Sequence, residues 1–330
     1  MADIALSDPS ALTQRVRGTA KAGRGDARFR FMTFLAALLV LAIFIGVIAS
    51  MVIGAWPAIK AFGWGFLTSQ TWNPVTEKFG ALASIYGTVV TSVIAMAIAL
   101  PVGIGIAIFL TEICPQRLRR PISIATELLA GVPSIIYGIW GLFIFAPWFQ
   151  AHVEQHIIDT FADVPVLQDL FGGPAYGTSI FTAGLILSIM ILPFISTVTR
   201  DVFETVPTVL KEATYGLGCT TWEVMWRVVL PYSRAGVTGG AMLALGRALG
   251  ETMAVTFVIG NSHAIQKSLF GPGTSIAATI ANEFSEAVGD LYGPALIELG
   301  LILSVLTLLV LAMAQLMLYS LERRAGGRSS

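Results

Sequence analysis

Six apolar segments of about 20 residues or more constrain this chain more than any other feature. They run roughly from Phe31 to Gly54, Ala83 to Leu110, Ile124 to Phe149, Thr178 to Val198, Gly236 to Gly260 and Ala295 to Tyr319. At about 1.5 Å of rise per residue, each can cross the roughly 30 Å of hydrocarbon in a bilayer, some with tilt. In lipid, backbone N–H and C=O groups must find partners within their own segment, so all six are predicted to be helices. Charged residues make up 12% of the chain and hydrophobic ones 55%. A soluble domain carries about 25% charged residues, so a soluble globular fold is excluded. The expected fold is an all-α membrane protein with six transmembrane helices.

Lysine and arginine set the orientation, because they accumulate in cytoplasmic loops. Of 20 basic residues, 16 fall on one side: six in the N-terminal tail, Arg117, Arg119 and Arg120 after the second segment, Arg200, Lys211, Arg227 and Arg234 after the fourth, and three in the C-terminal tail. The other side holds Lys60, Lys78 and Lys267. Both termini are therefore expected in the cytoplasm. The chain divides into a basic tail (1–30), a membrane domain (31–320) with a cytoplasmic loop at 200–235, and a short tail (321–330). The first apolar run exceeds the 7–15 residues of a signal h-region and reads as an uncleaved span. Cys114 and Cys219 fall in expected cytoplasmic loops, where thiols stay reduced, and form no disulfide framework.

The twentieth basic residue, Arg247, lies inside the fifth apolar segment with Glu251 four residues on. Ionised groups are costly in hydrocarbon and are kept mostly where they meet a pathway, a partner or water. On a continuous helix the i, i+4 spacing lets the two side chains meet. A guanidinium offers forked donors that suit an oxyanion. Two readings follow. Arg247 contacts a translocated anion with Glu251 as its counter-charge, or the two form a structural ion pair. Gly236, Gly240, Ala244 and Ala248 share a row that permits close helix packing, against a second subunit or within this one.

The loop after the fourth segment reads as helix, glycine turn, helix. Leu210 to Leu217 is predicted to form a short helix stopped by Gly218. Thr220 or Thr221 caps a second helix, and Pro231 is expected to end it and redirect the chain into the fifth segment. Glu212-Ala213, Gly218 and Leu230-Pro231 stand at the offsets of the EAA coupling loop, which this segment resembles, with Thr214 in place of the commoner second alanine. That loop belongs to importer-type ABC permeases, where the short helix docks on a cytoplasmic ATPase.

The strings from Ala244 to Asn261 and from Gly131 to Gly138 narrow the resemblance to the phosphate-uptake permeases of the PstC family, over residues 30–325. The resemblance implies the six-helix importer permease fold and a place for Arg247 and Glu251 in phosphate passage. It also implies the partners: a sister permease (PstA), an ATPase in two copies (PstB) and a periplasmic phosphate-binding protein (PstS). ATP and Mg²⁺ would be used by the ATPase, with no cofactor on this chain. Arg247 by itself argues only for an anion. Phosphate over sulfate or molybdate rests on the resemblance.

Glu127 precedes Gly131 and Pro133 at the start of the third segment. An interrupted helix there could present Ser134 and Tyr137 to an anion, or be a plain kink. His152 and His156 have Glu154, Asp159 and Asp163 nearby but lack the ordered third and fourth ligands of a zinc site. They read as exposed loop histidines. Ser275 to Glu286 is predicted to form a short amphipathic helix in an outer loop. The chain has no Gly-Lys dipeptide and hence no P-loop, and it has no nucleophile elbow. A secondary transporter would call for inverted repeats, which the sequence does not display. A membrane enzyme or scaffold would retain its activity without the 210–231 loop.

Overall fold

The computed structural model describes residues 9–162 and 164–326. Residues 1–8 of the basic tail, Asp163, and residues 327–330 lie outside the described residues. The chain forms two compact units, Met1–Ile53 and Gly54–Ser330. The first consists of the larger part of helix α1 (Pro9–Phe62).

The second unit is helical, and among the described residues the only extended pairing is an isolated bridge between Asn73 and Lys78. Its principal helices are α2 (Leu82–Ile108), α3 (Gln116–Ala130), α4 (Ser134–Trp140), α5 (Ile180–Glu204), α6 (Thr208–Gly216), α7 (Thr221–Val224), α8 (Leu230–Leu249), α9 (Met253–Val258), α10 (Ile276–Glu283) and α11 (Tyr292–Gly326). Helix α5 forms the core: Ile186, Leu187, Ile191 and Ile195 are fully withdrawn, packed with Ala95 and Ala99 of α2 and with Ala244 and Ala248 of α8. Helices in lipid gain little from hydrophobic burial against one another, so close packing through small residues has to hold them. A Cβ on Gly103 would lie 2.7 Å from Ile195, one on Gly184 2.6 Å from Ile94, and one on Gly240 2.7 Å from Val198. The glycine row of the fifth segment thus packs within this subunit.

Five stretches among the described residues are long and apolar enough to cross a membrane: Gly25–Phe62, Leu82–Ile113, Ser134–Thr160, Ile180–Glu204 and Tyr292–Leu316. The expected third segment is divided. Its first part belongs to α3, an exposed amphipathic helix, and the span begins only after Gly131-Val132-Pro133. The span then continues to Thr160, so His152 and His156 are helical and not in a loop. The expected fifth helix over Gly236–Gly260 is also broken, with α8 ending at Leu249 and α9 beginning at Met253. Helix α10 lies within the predicted 275–286 segment, capped by Ser275 Oγ accepting from the Ala278 N–H at 3.1 Å. It is not a surface helix: Ile276 to Thr279 are buried.

Candidate translocation site and coupling surface

Two interrupted helices meet in the second unit. In the first, Pro133 has no N–H and disfavours helix at Val132, so α3 stops at Ala130 and α4 starts afresh at Ser134. The Tyr137 hydroxyl reaches back across the gap to donate to the Leu129 carbonyl at 3.0 Å. In the second, α8 ends at Leu249 with Gly250 as its C-cap, and the Ala254 N–H donates to Glu251 Oε1 at 3.2 Å. The Thr252 side chain does not cap α9, so Glu251 satisfies one of the free N–H groups of its first turn. The two short helices touch where Gly138 faces Met253 and Ala254: a Cβ there would lie 2.9 Å from the Met253 carbonyl oxygen and 3.2 Å from the Ala254 Cα.

This arrangement corrects one sequence expectation. Arg247 and Glu251 do not share a continuous helix and form no ion pair, because α8 ends between them and Glu251 turns to the backbone of α9. Arg247 is exposed on the last turn of α8 and has no hydrogen-bond or ion-pair partner among the described residues. Ser134 and Tyr137 are half-buried on α4. The structure thus brings the helix of Ser134 and Tyr137 against the helix capped by Glu251, one helix end beyond Arg247.

The segment expected to act as a coupling loop folds from local rules. Gly218 adopts φ +87°, the left-handed conformation that favours glycine. Around it the Cys219 N–H donates to the Thr214 carbonyl at 3.3 Å and the Gly218 N–H to that of Tyr215 at 2.9 Å. These are the two bonds of a Schellman stop. Thr220 then caps α7, and Glu223 returns the bond to the Thr220 N–H at 2.9 Å. Accepting from the Thr220 backbone and hydroxyl, with Arg227 adding its charge, holds the Glu223 carboxyl below its ordinary range.

Pro231 does not end a helix. The chain passes from α7 through a π-helical turn at Met225–Val229 into α8, whose first turn contains Pro231. Proline's missing N–H is no loss in a first turn. Val224, Met225 and Val229 anchor the segment against Ala107 and Phe203 at the ends of α2 and α5. The opposite surface is exposed and apolar at Val209, Leu217, Trp222 and Trp226. Glu212 and Ala213 are exposed on the same α6 helix, and Leu230 is half-buried.

Several polar pairings escaped the sequence reading. Arg200 pairs with Glu127 at 3.1 Å and Asp201 at 2.9 Å and bonds Ser123, joining α5 to α3. Lys211 pairs with Glu112 at 2.5 Å. Apart from Asp201, which adjoins Arg200, these partners are far apart in the chain, so no local spacing announces them. The exposed Trp222 and Trp226 could have been noticed, since i, i+4 aromatics beside a predicted coupling helix mark one face.

Comparison with known proteins agrees with this architecture. Residues 99–325 match the family model described as binding-protein-dependent transport system inner membrane component. A Mesorhizobium japonicum protein described as phosphate transport system permease protein PstC is 64% identical over 301 residues, covering 91% of this chain and 92% of its own length. A Pasteurella multocida protein with the same description is 55% identical, covering 90% of this chain and 93% of its own. Among solved structures, a bacterial alginate ABC transporter aligns with a TM-score of 0.60 at 15% identity, covering 89% of this chain and 96% of that one. An inward-facing MetNI methionine ABC transporter aligns at 0.51 and 18%, covering 73% and 94%. At such identities the last two speak for the fold alone. With two broken helices, a Schellman-stopped helix before α7 and these relatives, the chain belongs to the binding-protein-dependent inner membrane transport components, in their PstC branch.

Proposed function

We propose that this chain is a multi-pass inner-membrane permease subunit of an ATP-driven phosphate importer. Phosphate is supported by the PstC relatives. The observation that carries the site is Arg247: an exposed arginine without a partner among the described residues, at the end of α8 in an otherwise apolar segment. There its guanidinium gives an oxyanion transient charge-assisted bonds, strong enough to admit it and weak enough to release it. Ser134, Tyr137 and the backbone at the two helix breaks complete the passage, and Glu251 shapes it by fixing the start of α9.

In this reading α8, the 250–252 break and α9 together cross the membrane as a further span, fifth in chain order, which brings the total to six, with both termini and the α6–α7 segment cytoplasmic. Glu212, Ala213 and Gly218 present the coupling helix, and Leu230 and Pro231 carry its movement into α8. A PstB-type ATPase pair docks there and uses ATP and Mg²⁺, a PstA-type permease completes the passage, and a PstS-type protein delivers phosphate from outside.

The test is labelled-phosphate uptake by the assembled importer, wild type beside Arg247→Gln, with sulfate as competitor. Wild-type uptake that resists sulfate should fall about 10- to 100-fold in the variant, the worth of one or two charge-assisted bonds, with assembly intact. Undiminished uptake in the variant would remove Arg247 from the passage. Absence of phosphate uptake in the wild type would remove the substrate.

A further inference from the structure

Glu298 on α11 is 7% exposed, and its Oε2 has no hydrogen-bond partner. It lines an apolar groove of about 580 Å³ in the second unit. Leu301, Val305 and Leu309 of α11 form one wall and Ile59, Trp64 and Leu67 the other. Among the described residues, no lysine, arginine or histidine lines it. A lone carboxylate beside hydrocarbon is costly unless a cation or donor meets it.

The groove's dimensions narrow the occupant. From Glu298 to Leu309 the helix rises roughly 16 Å, close to the depth of one leaflet, half of about 30 Å. A single acyl chain fits. Trp64, 86% exposed, stands beside the groove as aromatic residues do at the edge of the hydrocarbon. We propose that this groove holds one acyl chain of a phospholipid with a primary ammonium headgroup, phosphatidylethanolamine being the simplest, whose ammonium donates to the Glu298 carboxylate.

The complex with its partner subunits is placed in nanodiscs of equal parts phosphatidylethanolamine, phosphatidylcholine and phosphatidylglycerol, and the lipid retained after extraction is measured by mass spectrometry. The wild type should retain the ethanolamine lipid about tenfold over the choline lipid, whose quaternary ammonium has no N–H to donate. Glu298→Gln should abolish that preference, and Val305→Trp should lower retention of all three by filling the groove. A wild type that does not distinguish ethanolamine from choline overturns the proposal without any variant. So does an unchanged preference in Glu298→Gln, or a cysteine at Val305 that cross-links to another subunit in place of a lipid-phase probe.

Discussion

Lys211 Nζ stands 2.5 Å from Glu112 Oε1, and the two side chains are only 16% and 10% exposed. This pair bolts α6 to the π-helical turn at Phe109–Ile113, where the span that begins with α2 ends. Any push received by α6 therefore reaches that span directly. Removing one partner strands the other charge away from water. Lys211→Met is expected to cost about 2 kcal/mol, between an exposed pair and a fully buried one. Adding Glu112→Gln should recover part of that loss. A double-mutant cycle on thermal unfolding checks this, and strictly additive losses would show that the pair does not interact.

Gly218 provides a second test of the coupling segment. No atom lies within 4 Å of a Cβ placed there, so only its φ of +87° opposes a side chain. Gly218→Ala should cost about 1–2 kcal/mol through the backbone alone. Gly218→Asn should cost less, because asparagine tolerates this region. Transport per ATP hydrolysed should fall in the same order. Equal effects of the two substitutions would point to a side-chain clash with a partner docked on this face.

Much of this was legible because it is local. Hydropathy located the apolar stretches, Gly131 and Pro133 announced the first helix break, and Gly218 and Thr220 marked the turn between α6 and α7. The second break was hidden. Gly250-Glu251-Thr252 sits in an apolar run, and Arg247 and Glu251 have ideal helical spacing, so the pattern reads as one helix. What divides it is Glu251 bonding to the Ala254 N–H, in the turn where Gly138 packs on Met253 and Ala254. Pro231 misled in the opposite sense, since a π-helical turn before it lets the chain stay helical. The pairs of Lys211 with Glu112 and of Arg200 with Glu127 required the fold, because each joins segments distant in sequence.

The role of Glu251 is open to a direct distinction. As the acceptor at the start of α9 it needs an oxygen and not a charge. Glu251→Gln keeps a carbonyl oxygen for the Ala254 N–H, whereas Glu251→Ala leaves that donor free at a cost of about 0.5–2 kcal/mol. Stability and phosphate uptake should therefore survive the glutamine better than the alanine. If the two lose uptake equally while both remain folded, the carboxylate charge is what matters and Glu251 serves Arg247 after all.

One end of the second unit is held by a carboxylate that collects three donors. Glu283 accepts from Trp72 Nε1, from His263 Nε2 at 3.0 Å and from the Tyr292 hydroxyl at 2.6 Å, while the Trp72 and His263 rings stack. Burial alone would raise its pKa, but the bonds from His263, Tyr292 and Trp72 outweigh burial and hold it below the ordinary 4.5. A carboxyl depressed on folding adds stability above its unfolded value and loses it as pH falls through the folded one. Unfolding temperature should thus be flat from pH 7 to about 5 with respect to this group and decline below 4.5. Glu283→Gln should be destabilised at neutral pH by about 2 kcal/mol, the worth of hydrogen bonds to a charged group. It should also show a shallower acid decline than the wild type. Parallel acid declines would mean that other carboxylates govern this end and that Glu283 is held only by packing.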